Sequence, residues 1–435
     1  LGGRTLPWLA VAMSMYASLT SAVTYIGLPA TAYQENIALI AVSFASLAVA
    51  PIILKLFYPF YHRHRVTTSY QFIQQRFGLP AQRSVATLFV LSRLGWLGTV
   101  VYAPALALAA ATGFSLTTCI LLMGLIATLY TTLGGMAAVV WTDVLQFLIL
   151  VGGAIWIALS LVHQIDGGAS AILSHAASTG RLDIFDWPPS LFSLSLPIVA
   201  ISFFLQLMQE YGTDQITVQR MMATGSQRKT FKAILFNAGT DLVVISTLLF
   251  IGLGLLRFYP LTPLPAHIAP ASLLPHYIIH HLPNGINGLL ITAIFAAAMS
   301  SMDSGINAVA TVLLNDYKKP KNHIVKKARG ITILLGMLAT GIAFYVSSIG
   351  GLIKAFYSFM GLFSAPILAL FLLGVLNRRT AFHHWLIGLA ASLPFTLWLQ
   401  HGLDAHWVWY FPSSFAVAFG VSAIASCFSA TSSKA

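Results

Sequence analysis

Five carboxylates stand where charge is costly. Asp143, Glu210, Asp214, Asp241 and Asp303 fall inside long apolar runs, out of only 11 acidic residues in the whole chain. An unpaired carboxylate in hydrocarbon costs several kcal/mol or takes up a proton, so each needs a cation, a proton or a basic partner. Hydroxyls gather near two of them. The stretch from Phe295 to Asn307 places Ala297, Ser300, Ser301 and Ser304 at i, i+3, i+4 and i+7, one face of a helix, with Asp303 at i+3 from Ser300. Ala17, Thr20, Ser21 and Thr24 repeat that spacing. Carboxylates, hydroxyls and backbone carbonyls are the oxygen ligands of hard cations; a Na+ ion wants about five or six of them, with less charge than Ca2+ requires. The competing reading of such a face is close helix packing through small residues.

These groups have to be positioned by interrupted helices. Residues 15–29 cluster small and hydroxyl side chains at mid-span, and residues 206–215 carry a glycine and two acids where a lipid-facing helix would be apolar. A membrane helix needs roughly 20 apolar residues. On that rule the chain is an all-α polytopic membrane protein of about twelve transmembrane helices, at 8–33, 37–58, 84–110, 115–132, 136–162, 195–222, 230–256, 286–315, 327–348, 352–376, 381–400 and 406–427. No period-2 alternation supports a β-barrel. The two interrupted segments are helices one and six, so helices one to five and six to ten read as two halves of opposite orientation. Paired broken helices in such halves point to a transporter's midplane site.

Composition narrows the classes. The chain is 57% hydrophobic and 8% charged with a net charge of +12, far below the charge of a soluble domain. With residue 1 in the cytoplasm, 19 of the 23 basic residues fall at cytoplasmic ends, among them Arg63, Arg65, Arg220 and Lys318. The excess charge is therefore a topology signal, and nucleic acid is excluded as a partner. Cys119 and Cys427 are far apart and offer neither a disulfide framework nor a zinc spacing. Residues 163–194 and 257–285 read as outside loops. In the second, His276, His280 and His281 lack a carboxylate partner, so a solvated face is the better reading than a metal site. Asp241 reads as structural or a relay, and Arg93 as snorkelling or pairing with one of the acids.

Several motifs together resemble the sodium:solute symporter family. They are Gly2-Gly3-Arg4 before the first span, Tyr130-Thr131-Thr132-Leu133-Gly134-Gly135-Met136, Trp141-Thr142-Asp143-Val144-Leu145-Gln146, Asp214-Gln215 with Val218-Gln219-Arg220, and Ala297 to Ser304. The resemblance covers residues 1 to about 380 and implies the leucine-transporter-like fold, a five-plus-five inverted repeat with helices one and six broken. Residues 1–380 would form the core, with helices one to five at 8–162 and six to ten at 195–376. Residues 381–435 would add two helices and a tail, and one further helix is expected before Gly2.

The resemblance also implies a site. The first Na+ site would use the carbonyls of Ala17, Thr20 and Ala297 and the hydroxyls of Ser300 and Ser301. A second would use Asp143, Ser300, Asp303 and Ser304, although relatives carry a hydroxyl where this chain has Asp303. The substrate cavity would be lined by Ser21, Thr24, Leu39, Ser43, Trp96, Gln209, Glu210 and Tyr211. Bacterial sialic acid carriers have an arginine in place of Trp96, and Trp cannot pair a carboxylate bidentately. The run from Trp96 to Leu106 looks like the monocarboxylate, vitamin and iodide branch, and sugar carriers are also similar. The expected function is Na+-coupled symport of a small polar organic solute (organic acid, sugar or vitamin-like) into the cell by alternating access. The expected location is the cell membrane, of a bacterial inner-membrane type, with both ends of the chain cytoplasmic. The alternatives are a proton-coupled carrier using Asp143 and Asp303, and a membrane sensor, which would be expected to carry a signalling domain after Lys434. An enzyme would need a nucleophile–base pair or metal cluster in the spans, and the sequence offers neither.

Overall fold

The computed structural model describes residues 7–59, 61, 68–133, 136–223, 226–259, 269–317, 324–349, 351–377 and 379–432. The expected motifs at Gly2-Gly3-Arg4 and Gly134-Gly135 lie outside these residues. Among them every regular element is helical. In chain order the α-helices are α1 (Trp8–Leu19), α2 (Ala22–Gln34), α3 (Ala41–Leu56), α4 (Gln71–Phe77), α5 (Leu79–Thr112), α6 (Leu116–Leu133), α7 (Met136–Gln164), α8 (Gly168–Ser178) and α9 (Leu196–Gly212). They continue with α10 (Gln215–Ala223), α11 (Gln227–Phe258), α12 (Pro270–His281), α13 (Ile286–Val312), α14 (Ile324–Ser348), α15 (Leu352–Phe359), α16 (Ala365–Leu376), α17 (Phe382–His401) and α18 (Tyr410–Ser432). A π-helical turn at Met360–Ser364 joins α15 to α16.

Each expected span lies on one of these helices or on a broken pair. Among the described residues eight are long and apolar enough to cross a membrane, counting Leu352–Leu376 as one, and the bent pair α1–α2 makes a ninth. The other three segments, at α6, α9–α10 and α17, are helical but too short or too polar to pass on length and composition alone.

Both expected breaks are present, and each has a local cause. Between α1 and α2 the axis turns by 58°. Thr20 N–H closes α1 on Tyr16 O (2.7 Å), and extended Ser21 caps α2 by accepting from Val23 N (3.1 Å). A short hydroxyl side chain thereby replaces a helix bond. Between α9 and α10 the chain opens at Thr213 and Asp214. Asp214 Oδ1 accepts from Ile216 N (2.9 Å), Tyr61 Oη donates to Gly212 O (2.7 Å), and Ser69 Oγ donates to Thr213 O (2.8 Å). Irregular backbone at this depth survives only when protein groups satisfy it, as they do here.

The packing separates a lipid face from a core. On α7, Trp141, Leu145, Leu148, Trp156 and Leu159 are exposed while Asp143, Phe147, Leu150, Ala154 and Ile157 are buried, the signature of a helix with one wet or lipid side and one packed side. Within the apolar window of Ile286–Asn315, 72% of residues are buried, against 33% for Trp141–Gln164, which makes α13 a central element. Helix α1 packs on α7 and α13, and α9 packs on α3.

Candidate functional site

The polar face of α13 meets the broken first helix at the end of α1. The last four carbonyls of a helix have no intrahelical donor, and at this end they belong to Tyr16, Ala17, Ser18 and Leu19. Tyr16 O is taken by Thr20 N, and Ser18 O accepts from Ser301 Oγ on α13 (3.4 Å). Ala17, Ala297, Ser300 and Ser301 are all buried in this contact, as is Thr20 at the break. Across this contact Ser301 of the expected first site reaches the end of α1, at Ser18 O.

Asp143 of α7 joins the same cluster, fully buried. Ser14 Oγ donates to its Oδ2 (2.6 Å), and Ser300 Oγ donates to its Oδ1. Its countercharge is Arg220 of α10, whose Nη2 lies 3.6 Å from Oδ2. The same guanidinium donates to Ser304 Oγ (2.6 Å) and, through Nε, to Ser14 Oγ (3.3 Å). Two residues expected at a second Na+ site, Asp143 and Ser304, are thus bridged by Arg220, which reads from sequence as a cytoplasmic loop or flank charge. The missed signal was the Val218-Gln219-Arg220 motif directly after a break, which carries its cation back into the bundle. Asp303, also buried, accepts from Asn307 Nδ2 (3.1 Å) on Oδ1 and keeps Oδ2 without a partner.

Next to this cluster lies a cavity. Six residues assigned to the substrate cavity from sequence, Ser21, Thr24, Leu39, Trp96, Glu210 and Tyr211, line it. Ser43 and Gln209 do not. Ser43 Oγ turns to Asp241 O (3.3 Å), and Gln209 Nε2 to Thr213 Oγ1 (3.3 Å). The reason is helical phase. Phe203, Gln206, Leu207, Glu210 and Tyr211 form an i, i+3, i+4, i+7, i+8 face on α9 toward the cavity, and Gln209 falls off that face. The same spacing would have found Phe203 and Gln206 from sequence. Tyr16, Arg93, Asp241, Phe356 and Tyr357 complete much of the wall. Arg93 is held: its Nε (3.1 Å) and Nη2 donate to Asp214 Oδ2, and its guanidinium carbon lies 4.9 Å from the Trp96 ring centre.

On α12, His276 Nδ1 pairs with Tyr259 Oη (2.8 Å), and its ring centre is 4.4 Å from that of His280. Among the described residues no three of His, Cys, Asp and Glu gather as a metal site.

The sequence profile of the Sodium:solute symporter family matches residues 1–389. The chain belongs to this family. The Sodium/sialic acid symporter NanT of Aliivibrio fischeri is 30% identical over 422 residues, 94% of this chain and 83% of that protein. The human Sodium-coupled monocarboxylate transporter 2 is also 30% identical, over 92% of this chain and 67% of that protein. Among solved structures, a Na+-coupled sialic acid symporter in a substrate-bound outward-open state superposes with a TM-score of 0.87 at 27% identity, covering 98% of this chain and 91% of that one. Mhp1, a nucleobase-cation-symport-1 transporter, shares the fold alone, with a TM-score of 0.57 at 14% identity, covering 99% of this chain and 94% of that one. This symporter is a multi-pass membrane protein coupled to Na+, and it is not an enzyme.

Proposed function

We propose that this symporter carries a small polar organic solute into the cell with Na+, by alternating access, using the cavity between α1–α2, α9 and α15 as the solute site. The observation that carries the reading is the break in α1. It turns carbonyls and hydroxyls toward α13 on one side and toward the cavity on the other, so ion and solute would share one unwound segment. Na+ bound there favours the conformation in which it binds tighter, and solute binding then closes the outer gate. Twelve spans in two inverted halves, a bacterial inner membrane and cytoplasmic ends fit the placement of the basic residues. No observation favours proton coupling.

The arginine favours one finer reading. Arg220 holds the position of a second cation between Asp143 and Ser304, so a single Na+ accompanies each solute.

Uptake into proteoliposomes under an imposed Na+ gradient tests the main reading. Accumulation should require external NaCl, and Ser300→Ala and Ser301→Ala should weaken that dependence. Unchanged Na+ dependence in both variants would refute the ion-site assignment.

A further inference from the structure

We propose that the solute of this symporter bears an ammonium group. The inference rests on the reading that this cavity is the solute site, and it follows from the imbalance of charge and hydrogen-bonding groups in the wall. Glu210 of α9 and Asp241 of α11 both line the cavity. Among the described residues neither has a basic side chain within ion-pair distance. Among the described lining residues the one cation, Arg93, donates to Asp214 and lies against Trp96.

One further group points to a ligand. Gln206 and Tyr357 are more than nine-tenths buried and both line the cavity; the Gln206 side chain lies against Tyr357 Oη, and its Oε1 has no hydrogen-bond partner. A buried polar atom left without a partner is destabilising, so Gln206 Oε1 is set for something the cavity receives. The wall offers acceptors in excess of donors: two carboxylates, an amide oxygen and several hydroxyls that can act either way. The aromatic rings of Tyr16, Phe203, Phe356 and Tyr357 also line the cavity, a composition that favours a cation.

Three solute charges can be weighed against this wall. A carboxylate solute would meet two like charges and no free guanidinium. A neutral polyol would satisfy hydroxyls but, with Na+ bound, leave one carboxylate without countercharge. An ammonium brings three N–H donors and one positive charge. One Na+ at the adjacent break offsets one carboxylate, and the ammonium offsets the other.

The test uses the full-length protein in detergent with NaCl, and equilibrium binding of ethanolamine, n-butylamine, lactate, sialic acid and myo-inositol. The two amines should bind best, and Glu210→Gln and Asp241→Asn should each weaken them by about tenfold or more, the loss of a charge-assisted hydrogen bond. Absence of amine binding in the wild type, or amine binding indifferent to both substitutions, overturns the proposal. Lactate or sialic acid binding that Trp96→Ala abolishes would overturn the charge inference while upholding the cavity. A solute whose binding neither Trp96→Ala nor Thr24→Val alters would instead remove the cavity from the solute path.

Discussion

Asp143 shows how a fully buried carboxylate is held here: two hydroxyl donors, from Ser14 and Ser300, and one guanidinium, from Arg220. Breaking such a buried pair by removing one partner costs about 3–5 kcal/mol, because the other charge stays behind. Arg220→Gln should therefore lower the thermal unfolding midpoint markedly. Asp143→Asn in the same chain should restore most of that loss, and strictly additive losses in the double-mutant cycle would dismiss the coupling. Ser301 sits differently, with its hydroxyl on Ser18 O and away from Asp143. Ser301→Ala should raise the Na+ concentration for half-maximal uptake by about tenfold, the loss of roughly one 1.4 kcal/mol oxygen contact, with little change in unfolding temperature. An unaltered Na+ titration would place the ion elsewhere.

At the scale of elements, close approach decides what can change. A side chain on Gly252 of α11 would run into the backbone oxygen of Pro29 and the methyl of Ala32 on α2. Backbone cannot step aside, so Gly252→Ala should destabilise by about 1–3 kcal/mol through overpacking, seen as a lower unfolding midpoint in detergent. A wild-type midpoint would mean that α2 and α11 slide freely. Helix α12 makes a different prediction. Burial, with help from His280 and His281, holds the His276 imidazole below its ordinary 6.5, and burial with His280 does the same for His281. A base whose folded pKa is depressed binds fewer protons folded than unfolded. Its contribution is therefore present above about 6.5 and is lost as pH falls below that value. The unfolding midpoint should drop between about pH 7.5 and 5.5. His281→Phe, which keeps the ring beside Phe258 and Tyr277, should flatten that drop. Equal pH slopes in the two proteins would exclude His281 from it.

For the whole molecule, the single-ion reading proposed from Arg220 carries an electrical prediction. One Na+ per solute predicts a Na+ Hill coefficient near one, and an ammonium solute then carries about two charges inward per cycle. An inside-negative potential contributes roughly 2.3 kcal/mol per charge per 100 mV, so uptake should steepen with an imposed potassium-diffusion potential. Parallel flux measurements of Na+ and solute check the ratio, and two Na+ per solute would mean that Arg220 leaves its place during the cycle.

Much of this was legible in the chain itself. Apolar length located the helices, because hydrocarbon admits little else. Polarity at mid-span located both breaks, because a buried Ser, Thr or Asp must have a local partner, and the spacing of Ala297, Ser300 and Ser301 gave a single face. What the sequence could not settle was which distant groups meet. Arg220 reads as a loop charge until the break before α10 folds it onto Asp143, 77 positions away. Gln209 reads as a cavity residue until the phase of α9 turns Gln206 inward in its place. Periodicity and solvation cost are properties of a segment and are written along it. The pairing of charges and the rotation of each helix depend on the sum of contacts with its neighbours, and only the packed bundle fixes those.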